Sequence, residues 1–527
     1  MAVGSHTEVE TKLAVTDEAG ASVAALLDDD AGLLALPGVA GVDRPGTVEL
    51  VATYHDTTDL RLARSRATLR RRTGGADEGW HLKLPGREDS RTEVHEPLGD
   101  DAAGVPDRLV DLTRSRHRGA GIGPVAVLRT RRTEIHLLDH DARVLAEIAD
   151  DEVTAEVADV LVAPGHPAVV VWHEVEVELV SGGRDLLAAA VSLLRDAGAE
   201  PAASPSKLAR ALGAAGARPA VGATGDDDAR RSPRTALDVA LVAVGEHVRS
   251  LVEEDPHVRL DSPDSVHKAR VATRRLRSTL ATFRPQLDRD VTEPVRDRLK
   301  DLGSALGGAR DAEVLSARLQ GRLAGLPPEL VPGPVAARLQ ADLDGGYERE
   351  REVAVAALDA PEHADLLDRL EALVLDPPRG RRADDPARKG TRRRARKAVR
   401  RLEDRLGRVP AEVGPERDAA LHEVRKAAKR VRYAGEALTG VHGKKAARLA
   451  SRAEDLQDLL GEHQDAVVAT DRLRDMALRA HADGENTFGY GLLAGLEHAR
   501  TAGLDPDDPA LVRALRRLRK AARRWPG

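Results

Sequence analysis

The stretch VVVWHEVEVELV at Val169–Val180 is the strongest strand signal in this chain. Its three glutamates, Glu174, Glu176 and Glu178, alternate with valine and leucine. Successive side chains of a β-strand point to opposite faces, so the apolar residues pack and the three glutamates share the other face. Such a polar face usually meets solvent, whereas in a closed sheet it can line an internal passage.

Other runs of the same kind precede this strand. They are VELVATYHDT, TLRRRT, WHLKLPG, AVLRTRRTEIHLL and RVLAEIADDEVTAEV, and turn residues separate them. Alternating or β-branched runs at this spacing predict a strand-rich domain with a closed or nearly closed antiparallel sheet. Two helical stretches, around Ala19–Leu36 and Gly183–Leu194, interrupt the series.

Acidic and basic residues recur at alternate positions in these runs. Residues two apart on a strand share a face, which groups Glu8 with Glu10 and Lys12, Arg70 with Arg72, His81 with Lys83, Arg91 with Glu93, and Arg129 with Arg131. Carboxylates bind Mg²⁺ or Mn²⁺ through oxygen, while Arg and Lys neutralise phosphate. A passage lined by both groups therefore suits a metal-complexed oligophosphate.

Composition excludes several classes of protein. The chain has 527 residues, which suggests two to four domains, and it has no cysteine. The absence of cysteine excludes disulfides, zinc–thiolate sites, iron–sulfur clusters and thiol catalysis. We find no G-x-x-x-x-G-K-[ST], G-x-S-x-G or H-E-x-x-H motif and no window of about 18 apolar residues. We expect a cytoplasmic protein with no membrane partner.

Charge is divided unevenly along the chain. Residues 1–230 hold 25 Lys and Arg against 39 Asp and Glu, whereas residues 231–527 hold 56 against 48. The stretch GAAGARPAVGATGDDDARRSP, beginning at Gly213, lacks an apolar period and resembles a linker. We expect three parts at residues 1–212, 213–234 and 235–527. The last part has helical periodicity throughout, with two repeats at about residues 235–375 and 397–527.

The repeats are visible as two matching motifs. SVHKARVATRRLRSTL and ALHEVRKAAKRVRYAG match at a shift of 155 residues, and LGGARD and LGEHQD match at a shift of 154 residues. Two separate motifs with nearly the same shift indicate duplication of a helical unit. Each first motif places one His and three cations on an arc about 80° wide. These residues are His267, Arg270, Arg274 and Arg277, and His422, Arg425, Lys429 and Arg432.

A stripe of like charges repels itself unless it meets a counter-anion. Most charge runs are solvated faces, but the repetition of this stripe favours binding of an extended polyanion, and Arg with a titratable His suits phosphates. Nucleic acid is the alternative ligand. It is disfavoured because Tyr433 and Phe283 are almost the only aromatic residues near the stripes for base stacking.

The paired H-x-x-R-x-x-x-[RK]-R-x-R helices and LG-x-x-[RQ]-D turns resemble the CHAD domain, from about Thr235 to Trp525. This resemblance implies two helical bundles related by an approximate two-fold axis, with inorganic polyphosphate bound along the basic stripes. Gln464 stands where the first repeat has Arg310, so the two halves need not bind equally.

The N-terminal motifs resemble, in order, the CYTH or triphosphate tunnel metalloenzyme family over about residues 4–212. They are E-V-E-T-K, YHDT, LRRR, HLKL, R-T-E, RTRR, EIADDEV and EVEVEL. The resemblance implies an antiparallel tunnel of eight strands, with flanking helices, that binds a triphosphate and divalent cations. It assigns the metal to Glu8, Glu10, Glu174 and Glu176. It assigns phosphate binding to Lys12, Arg70, Arg72, Lys83, Arg91, Arg129, Arg131 and Lys207.

The expected protein is therefore an α+β multidomain chain, with a β tunnel followed by an all-α duplicated domain. The expected reaction is hydrolysis of inorganic triphosphate to pyrophosphate and phosphate with Mg²⁺ or Mn²⁺, using Glu8, Glu10, Lys12 and Glu176 as catalytic residues. Two alternatives stay open: a non-catalytic polyphosphate-binding protein associated with granules, and a tunnel enzyme acting on thiamine triphosphate or converting ATP to cyclic AMP.

Overall fold

The computed structural model describes residues 9–85, 91–99, 104–204, 206–217, 233–410, 412, 414–501 and 508–523. The chain divides into two compact units, Met1–Gly222 and Ala223–Gly527. The first unit is built on a β-sheet and the second is helical, which confirms the predicted fold class.

Nine strands form one sheet in the described part of the N-terminal unit. They are β1 (Val9–Val15), β2 (Gly41–Asp56), β3 (Thr68–Thr73), β4 (Gly79–Pro85), β5 (Arg91–Glu96), β6 (Gly123–Leu138), β7 (Val144–Val157), β8 (Val169–Leu179) and β9 (Glu200–Pro201). Their order is β5-β4-β3-β2-β6-β7-β8-β1-β9. All neighbours pair in the antiparallel sense.

The predicted count of eight strands needs one correction. The two-residue strand β9 pairs with Leu13 and Ala14 of β1 and adds a ninth member. Among the described residues the sheet is not closed by hydrogen bonds, because β5 and β9 lie at its two ends.

Seven helices accompany the sheet in the described residues. They are α1 (Asp17–Asp28), α2 (Asp30–Leu34), α3 (Arg61–Arg64), α4 (Asp107–Leu112), α5 (Arg114–His117), α6 (Arg184–Asp196) and α7 (Lys207–Ala214). Helix α1 begins where Thr16 Oγ1 accepts a hydrogen bond from Ala19 N. Helices α1, α2 and α6 bury one face of the central strands, packing on Leu13, Ile135, Ile148 and Val177.

Helix α7 packs on the opposite face of the same sheet, which we call the inner face. Its Leu208 and Leu212 contact the apolar cluster that contains Leu128, Val153 and Trp172. Among the described residues, α7 covers one end of the inner face. Beyond it, the strands carry charged residues on that face.

The described part of the C-terminal unit contains eleven α-helices. They are α8 (Ala236–Arg259), α9 (Ser265–Thr282), α10 (Arg289–Ala324), α11 (Val335–Asp359), α12 (Pro361–Leu375), α13 (Ala387–Leu406), α14 (Pro415–Ala437), α15 (Thr439–His442), α16 (Lys444–Ala482), α17 (Phe488–Thr501) and α18 (Pro509–Arg523). No described helix of the chain has both the length and the apolar composition needed to cross a membrane.

The duplication appears as reciprocal contacts. Ala236 N donates to Asp385 O at 2.8 Å, and Ala387 N donates to Arg234 O at 3.0 Å, so the first turns of α8 and α13 hold each other in the same way. Helix α8 starts with a capping box, in which Thr235 and Asp238 exchange hydrogen bonds. Helices α8 to α12 therefore correspond to α13, α14, α16, α17 and α18.

Candidate metal and phosphate site

Strand register places five charged residues in adjacent rows of the inner face. Arg132 lies opposite Asp151, and Asp151 lies opposite Glu174. Glu176, two residues along from Glu174, lies opposite Lys12. Directly opposed residues of an antiparallel pair point to the same face. Helices α1, α2 and α6 cover the other face, so these charged side chains collect on the inner one.

Three carboxylates form the centre of this site. One oxygen from each of Asp151, Glu174 and Glu176 lies within 4.8 Å of the others. Asp151 is fully buried and Glu174 is 3% exposed. We call these three residues the carboxylate cluster. Burial of three carboxylates is unfavourable unless cations neutralise them.

Lys207, the first residue of α7, inserts its ammonium group into the carboxylate cluster. Its Nζ lies 2.9 Å from Asp151 Oδ2, 2.8 Å from Glu174 Oε1 and 2.7 Å from Glu176 Oε1. Ser206 caps this helix by accepting a hydrogen bond from Ala209 N. The packing of α7 on the apolar end of the inner face therefore fixes the position of this ammonium group.

Two more cations make close contacts with the carboxylate cluster, and Arg210 Nη1 lies farther away, 3.8 Å from Glu174 Oε2. Arg132 donates to both oxygens of Asp151 at 2.8 and 2.7 Å, and to Glu176 Oε2 at 3.1 Å. Lys12 Nζ donates to Glu176 and lies 3.0 Å from Glu10 Oε2. Two lysines and one arginine thus balance the three carboxylates.

The electrostatics follow from this arrangement. Burial acts to raise the pKa of Glu176, but Lys207 and Lys12 outweigh it and hold that pKa below its ordinary value. Burial acts to lower the pKa of Lys207, but Glu176, Asp151 and Glu174 outweigh it and raise that pKa. Glu176 and Lys207 are therefore charged at neutral pH.

A second group of cations lies on the same face of strands β3 and β4. Arg72 lies opposite Ala52, which itself lies opposite Leu128 on the inner face. Arg70 follows two residues earlier and lies opposite His81. Lys83, two residues beyond His81, shares this face too. We call Arg70, Arg72, His81 and Lys83 the basic wall.

Glu93 of β5 is the carboxylate partner of the basic wall. It lies 3.0 Å from His81 Nδ1 and 3.3 Å from Lys83 Nζ. Burial acts to raise its pKa, but the hydrogen bond from His81 and the charge of Lys83 lower the pKa to about 2. Burial and the neighbouring Arg70 lower the pKa of Arg72, which indicates an excess of positive charge in this wall.

Two predicted phosphate ligands lie on the outer face instead. Arg129 and Arg131 are exposed, and Arg131 Nη1 lies 3.5 Å from Glu152 Oε2, where both side chains are more than half exposed. The structure therefore does not bring them to the carboxylate cluster. Arg132 and Asp151 occupy it, although the sequence argument did not choose either as a ligand.

Of the remaining predicted site residues, some lie within the part of the chain that the structure describes and others do not. Lys12, Glu174, Glu176 and Lys207 meet at the carboxylate cluster, and Glu10 contacts it through Lys12. Arg91 starts β5, but its side chain lies outside the described residues. Glu8 lies outside them entirely.

The donor set fits a divalent cation. Asp151, Glu174 and Glu176 offer only oxygen ligands, which Mg²⁺ and Mn²⁺ prefer. The ammonium of Lys207 contacts the same three carboxylates. A cation held by all three would therefore compete with Lys207 for their oxygens.

In the C-terminal unit, packing of α9 on α14 brings cations of both repeats together. Burial, followed by Arg425, Arg274 and Arg270, lowers the pKa of Lys429 to about 7. Arg274 lies over the ring of Tyr433 at 5.2 Å, and Arg270 Nη1 pairs with Asp311 Oδ1 at 2.7 Å. These contacts join the centres of the two predicted stripes.

The other stripe residues lie farther along the two helices. Burial and Arg310 lower the pKa of His267, and burial and Lys426 lower that of His422. Arg432 is neutralised by glutamates, whereas Arg277 neighbours other arginines. The ends of the stripes thus differ in charge although their sequences match.

Comparison with protein families identifies both units. Residues 6–212 match the model of the CYTH domain, and residues 242–474 match that of the CHAD domain. The chain belongs to the family of proteins that join a CYTH domain to a CHAD domain. CYTH domains are triphosphate tunnel enzymes that depend on divalent metals.

Two relatives match almost the whole chain. They are uncharacterized proteins of Mycobacterium tuberculosis, from strains CDC 1551 / Oshkosh and ATCC 25618 / H37Rv. Each is 38% identical over 504 residues, which is 93% of this chain and 93% of the relative. The similarity therefore extends over both units of this chain.

Solved structures match the separate units. The CHAD domain from Ricinus communis is 24% identical and covers 54% of this chain and 93% of that chain, with a TM-score of 0.44. PptA from Streptomyces chartreusis is 20% identical and covers 55% of this chain and 100% of that chain, with a TM-score of 0.42. The Hippeastrum protein HpAC1, titled a putative adenylyl cyclase with a dominant triphosphatase activity, is 17% identical and covers 39% and 95%, with a TM-score of 0.25.

Proposed function

We propose that the CYTH unit hydrolyses inorganic triphosphate to pyrophosphate and phosphate with Mg²⁺ or Mn²⁺. One observation carries this proposal: the carboxylate cluster and the basic wall lie on one face of one sheet. A face that bound anions alone would need only the cations. A face that bound metal alone would not need the arginines.

In this proposal Asp151, Glu174 and Glu176 hold the metal, together with Glu8 and Glu10 from the matching family motif. A bound divalent cation withdraws charge from the phosphoryl oxygens. Arg70, Arg72 and Lys83 bind the phosphate chain, to which the family motif adds Arg91. Attack by water on a terminal phosphorus forms one P–O bond and breaks the bond to the bridging oxygen, releasing pyrophosphate.

The cations of the carboxylate cluster have a second role. Lys12, Arg132 and Lys207 neutralise its carboxylates in the metal-free protein. With a divalent cation held by the carboxylates, the donors of Lys12, Arg132 and Lys207 would be available to phosphate oxygens. Fixed cations near the leaving group stabilise the charge that develops on pyrophosphate.

Inorganic triphosphate is favoured over organic triphosphates by the positions of the aromatic residues. Stacking on a base or a thiamine ring would need an accessible aromatic side chain, and the Tyr and Trp residues of this unit, Tyr54, Trp80 and Trp172, are all buried. Trp172 Nε1 donates to Glu174 Oε2 at 2.6 Å, so this ring supports a proposed metal ligand. The indole ring of Trp172 is therefore part of the protein interior and is not available for stacking on a substrate.

We further propose that the CHAD unit binds inorganic polyphosphate through both stripes. At their centres, burial followed by the charges of Arg425, Arg274 and Arg270 lowers the pKa of Lys429, and a polyanion would relieve the repulsion among these cations. Binding in one unit raises the local concentration of phosphate chains for the other, because a linker joins them. Association with polyphosphate granules in the cytoplasm is part of this proposal.

A substrate panel tests the catalytic proposal. The full chain is assayed for orthophosphate release from triphosphate, long polyphosphate, ATP and thiamine triphosphate, each with Mg²⁺, Mn²⁺ or a chelator, and for cyclic AMP formation from ATP. We expect metal-dependent release from triphosphate, and a loss of roughly 100-fold or more in a Glu174→Gln/Glu176→Gln variant. No release from triphosphate by the wild type, or full release by that variant, would reject the proposal.

A further inference from the structure

The packed pair α9 and α14 has one end at which charges are balanced. Arg275 Nη2 lies 3.0 Å from Glu436 Oε2, and Arg432 Nε donates to Glu436 Oε1 at 2.8 Å. Arg432 Nη2 also lies 2.9 Å from Glu454 Oε1 of α16. Two glutamates therefore neutralise two arginines, one from each repeat.

The duplication gives every residue at this balanced end a counterpart elsewhere. The shift of 155 residues relates α9 to α14, and the shift of 154 relates α10 to α16. At the counterpart positions both arginines are present, but the two glutamates are replaced by an alanine and a lysine. One alanine of the balanced end also corresponds to an arginine. The pairs are Arg275 with Arg430, Arg432 with Arg277, Glu436 with Ala281, Glu454 with Lys300, and Ala450 with Arg296.

At this second end of the α9–α14 pair, the basic end, Arg296 pairs with Glu293, but Arg277 and Arg430 lack the glutamates that neutralise their counterparts. Burial, then Arg296 and Arg430, lower the pKa of Arg277, and Asp297 and Asp301 only partly oppose them. In the described part of the chain, neither Arg277 nor Arg430 lies within ion-pairing distance of a carboxylate. Arg277 is partly buried and Arg430 is exposed, and like charges this close repel each other. An anion bound at the basic end would relieve that repulsion.

A groove between α13 and α14 reaches the basic end. Its volume is about 570 Å³, and it is lined by Arg401, Asp404, Arg405, Arg408, Ala420, Glu423 and Arg430. Four guanidinium groups thus face two carboxylates. Glu423 is already engaged by Arg405 and by Lys426 Nζ at 2.8 Å. Burial, followed by Arg405, lowers the pKa of Arg430, so the groove has a net positive potential.

The difference in charge between the two repeats is also present in the helices that form the groove. Helix α13 has ten Lys and Arg against two Asp and Glu, whereas its counterpart α8 has two against five. The groove on the α8 side shows the reverse character, since Glu246 and Glu436 line it with Arg275. Of these two grooves, therefore, the one between α13 and α14 has the excess of positive charge.

We propose that the groove between α13 and α14 is a separate binding site for a compact phosphate group, held by Arg430 and the other arginines that line it. At the balanced end of the pair, Glu436 neutralises the counterpart of Arg430. Guanidinium groups bind phosphate oxygens through two parallel hydrogen bonds, which a lysine ammonium group does not offer. The ligand is free orthophosphate, pyrophosphate or the terminal group of a polyphosphate chain. This site goes beyond the proposed function and requires no turnover in the CYTH unit.

Calorimetry on the full chain, with pyrophosphate as the probe and a chelator present, tests this site. We compare the number of bound pyrophosphates in the wild type, Arg430→Gln and Ala281→Glu. Arg275→Gln, at the balanced end, is the matched control. We expect the first two variants to bind one pyrophosphate fewer than the wild type, because one removes the cation and the other restores the missing carboxylate. We expect Arg275→Gln to match the wild type.

Equal stoichiometry in Arg430→Gln and Arg275→Gln would overturn the proposal. Ala281→Glu carries a risk of misfolding, so its thermal melting is checked, and Arg430→Gln alone decides if it unfolds. Competition then identifies the source of the phosphate. Displacement of pyrophosphate by millimolar orthophosphate indicates a site for free phosphate, whereas displacement by long polyphosphate alone indicates a site for the chain end.

Discussion

Lys207 and Glu176 form an ion pair of 2.7 Å that joins the first turn of α7 to strand β8. The same ammonium group contacts Asp151 and Glu174, so a single lysine neutralises the whole carboxylate cluster together with Arg132 and Lys12. The proposed metal ligands are therefore held in place before metal arrives. Metal binding must compete with this lysine.

Replacement of Lys207 by methionine should separate its two roles. One is to neutralise the carboxylates, and the other is to compete with the metal for them. Removing one partner of a buried ion pair costs roughly 3–5 kcal/mol, because the carboxylates lose their counter-charge. We expect a lower melting temperature in chelator, largely restored by Mn²⁺. We also expect tighter binding of Mn²⁺ alone, measured by electron paramagnetic resonance. Weaker binding of Mn²⁺ in Lys207→Met would contradict competition between the lysine and the metal.

Arg131 and Arg132 are sequence neighbours on opposite faces and provide a matched pair. Arg132 donates three hydrogen bonds to the carboxylate cluster, whereas Arg131 makes one exposed contact at 3.5 Å. We expect Arg132→Gln to lower triphosphatase kcat/KM by roughly 100-fold and Arg131→Gln to change it by less than about three-fold. Equal losses in the two variants, at equal melting temperature, would refute the assignment of faces.

Lys429 should make polyphosphate binding depend on pH. Its pKa of about 7 in the free protein rises when a polyanion offsets the charges of Arg425, Arg274 and Arg270. Binding therefore takes up a proton above pH 7, and affinity should fall as pH rises from about 7 to 9. In Lys429→Arg this slope should disappear. The measurement is calorimetry in buffers of different ionisation enthalpy, and proton uptake that persists in Lys429→Arg would exclude Lys429 as its source.

Glu93 should contribute to stability against acid. Its pKa falls from an ordinary 4.5 to about 2 on folding, because His81 and Lys83 favour the charged form over the effect of burial. A lowered carboxylate pKa gives stability that is complete above pH 4.5 and is lost as pH falls toward 2. We expect Glu93→Gln to be less stable at pH 7, with a shallower decline in unfolding free energy between pH 4.5 and 2. A parallel decline in both proteins would contradict this.

The order of the strands in the sheet, and the face on which each side chain lies, could be predicted from the sequence only in part. Alternation in β8 correctly grouped Glu174 with Glu176, because Val175 and Val177 are buried on the other side. In β6 the apolar residues change face along the strand. Leu128 is buried on the inner face under α7, whereas Ile135 is buried on the outer face under other helices. Alternation alone therefore could not place Arg129 and Arg131.

The sequence alone does not show which strands pair with each other when they are far apart in the chain. Asp151 joins Glu174 and Arg132 only because β7 lies between β6 and β8 in a fixed register. The basic end of the α9–α14 pair was equally hidden, because Ala281 and Glu436 lie one residue beyond the first matching motifs, and Lys300 and Glu454 precede the second ones. Comparing charges position by position, Glu436 with Ala281 and Glu454 with Lys300, would have revealed it. The stripes themselves depend on local helical spacing and needed no tertiary information.

The central claim is that metal-complexed triphosphate binds on the inner face of the CYTH sheet. Anomalous diffraction at the manganese edge, from crystals of the full chain grown with Mn²⁺ and a non-hydrolysable imido analogue of triphosphate, tests it most directly. We predict a manganese peak in contact with Asp151, Glu174 and Glu176, with the analogue reaching the basic wall. Manganese bound elsewhere, or the analogue bound at Arg129 and Arg131 on the outer face, would contradict the claim.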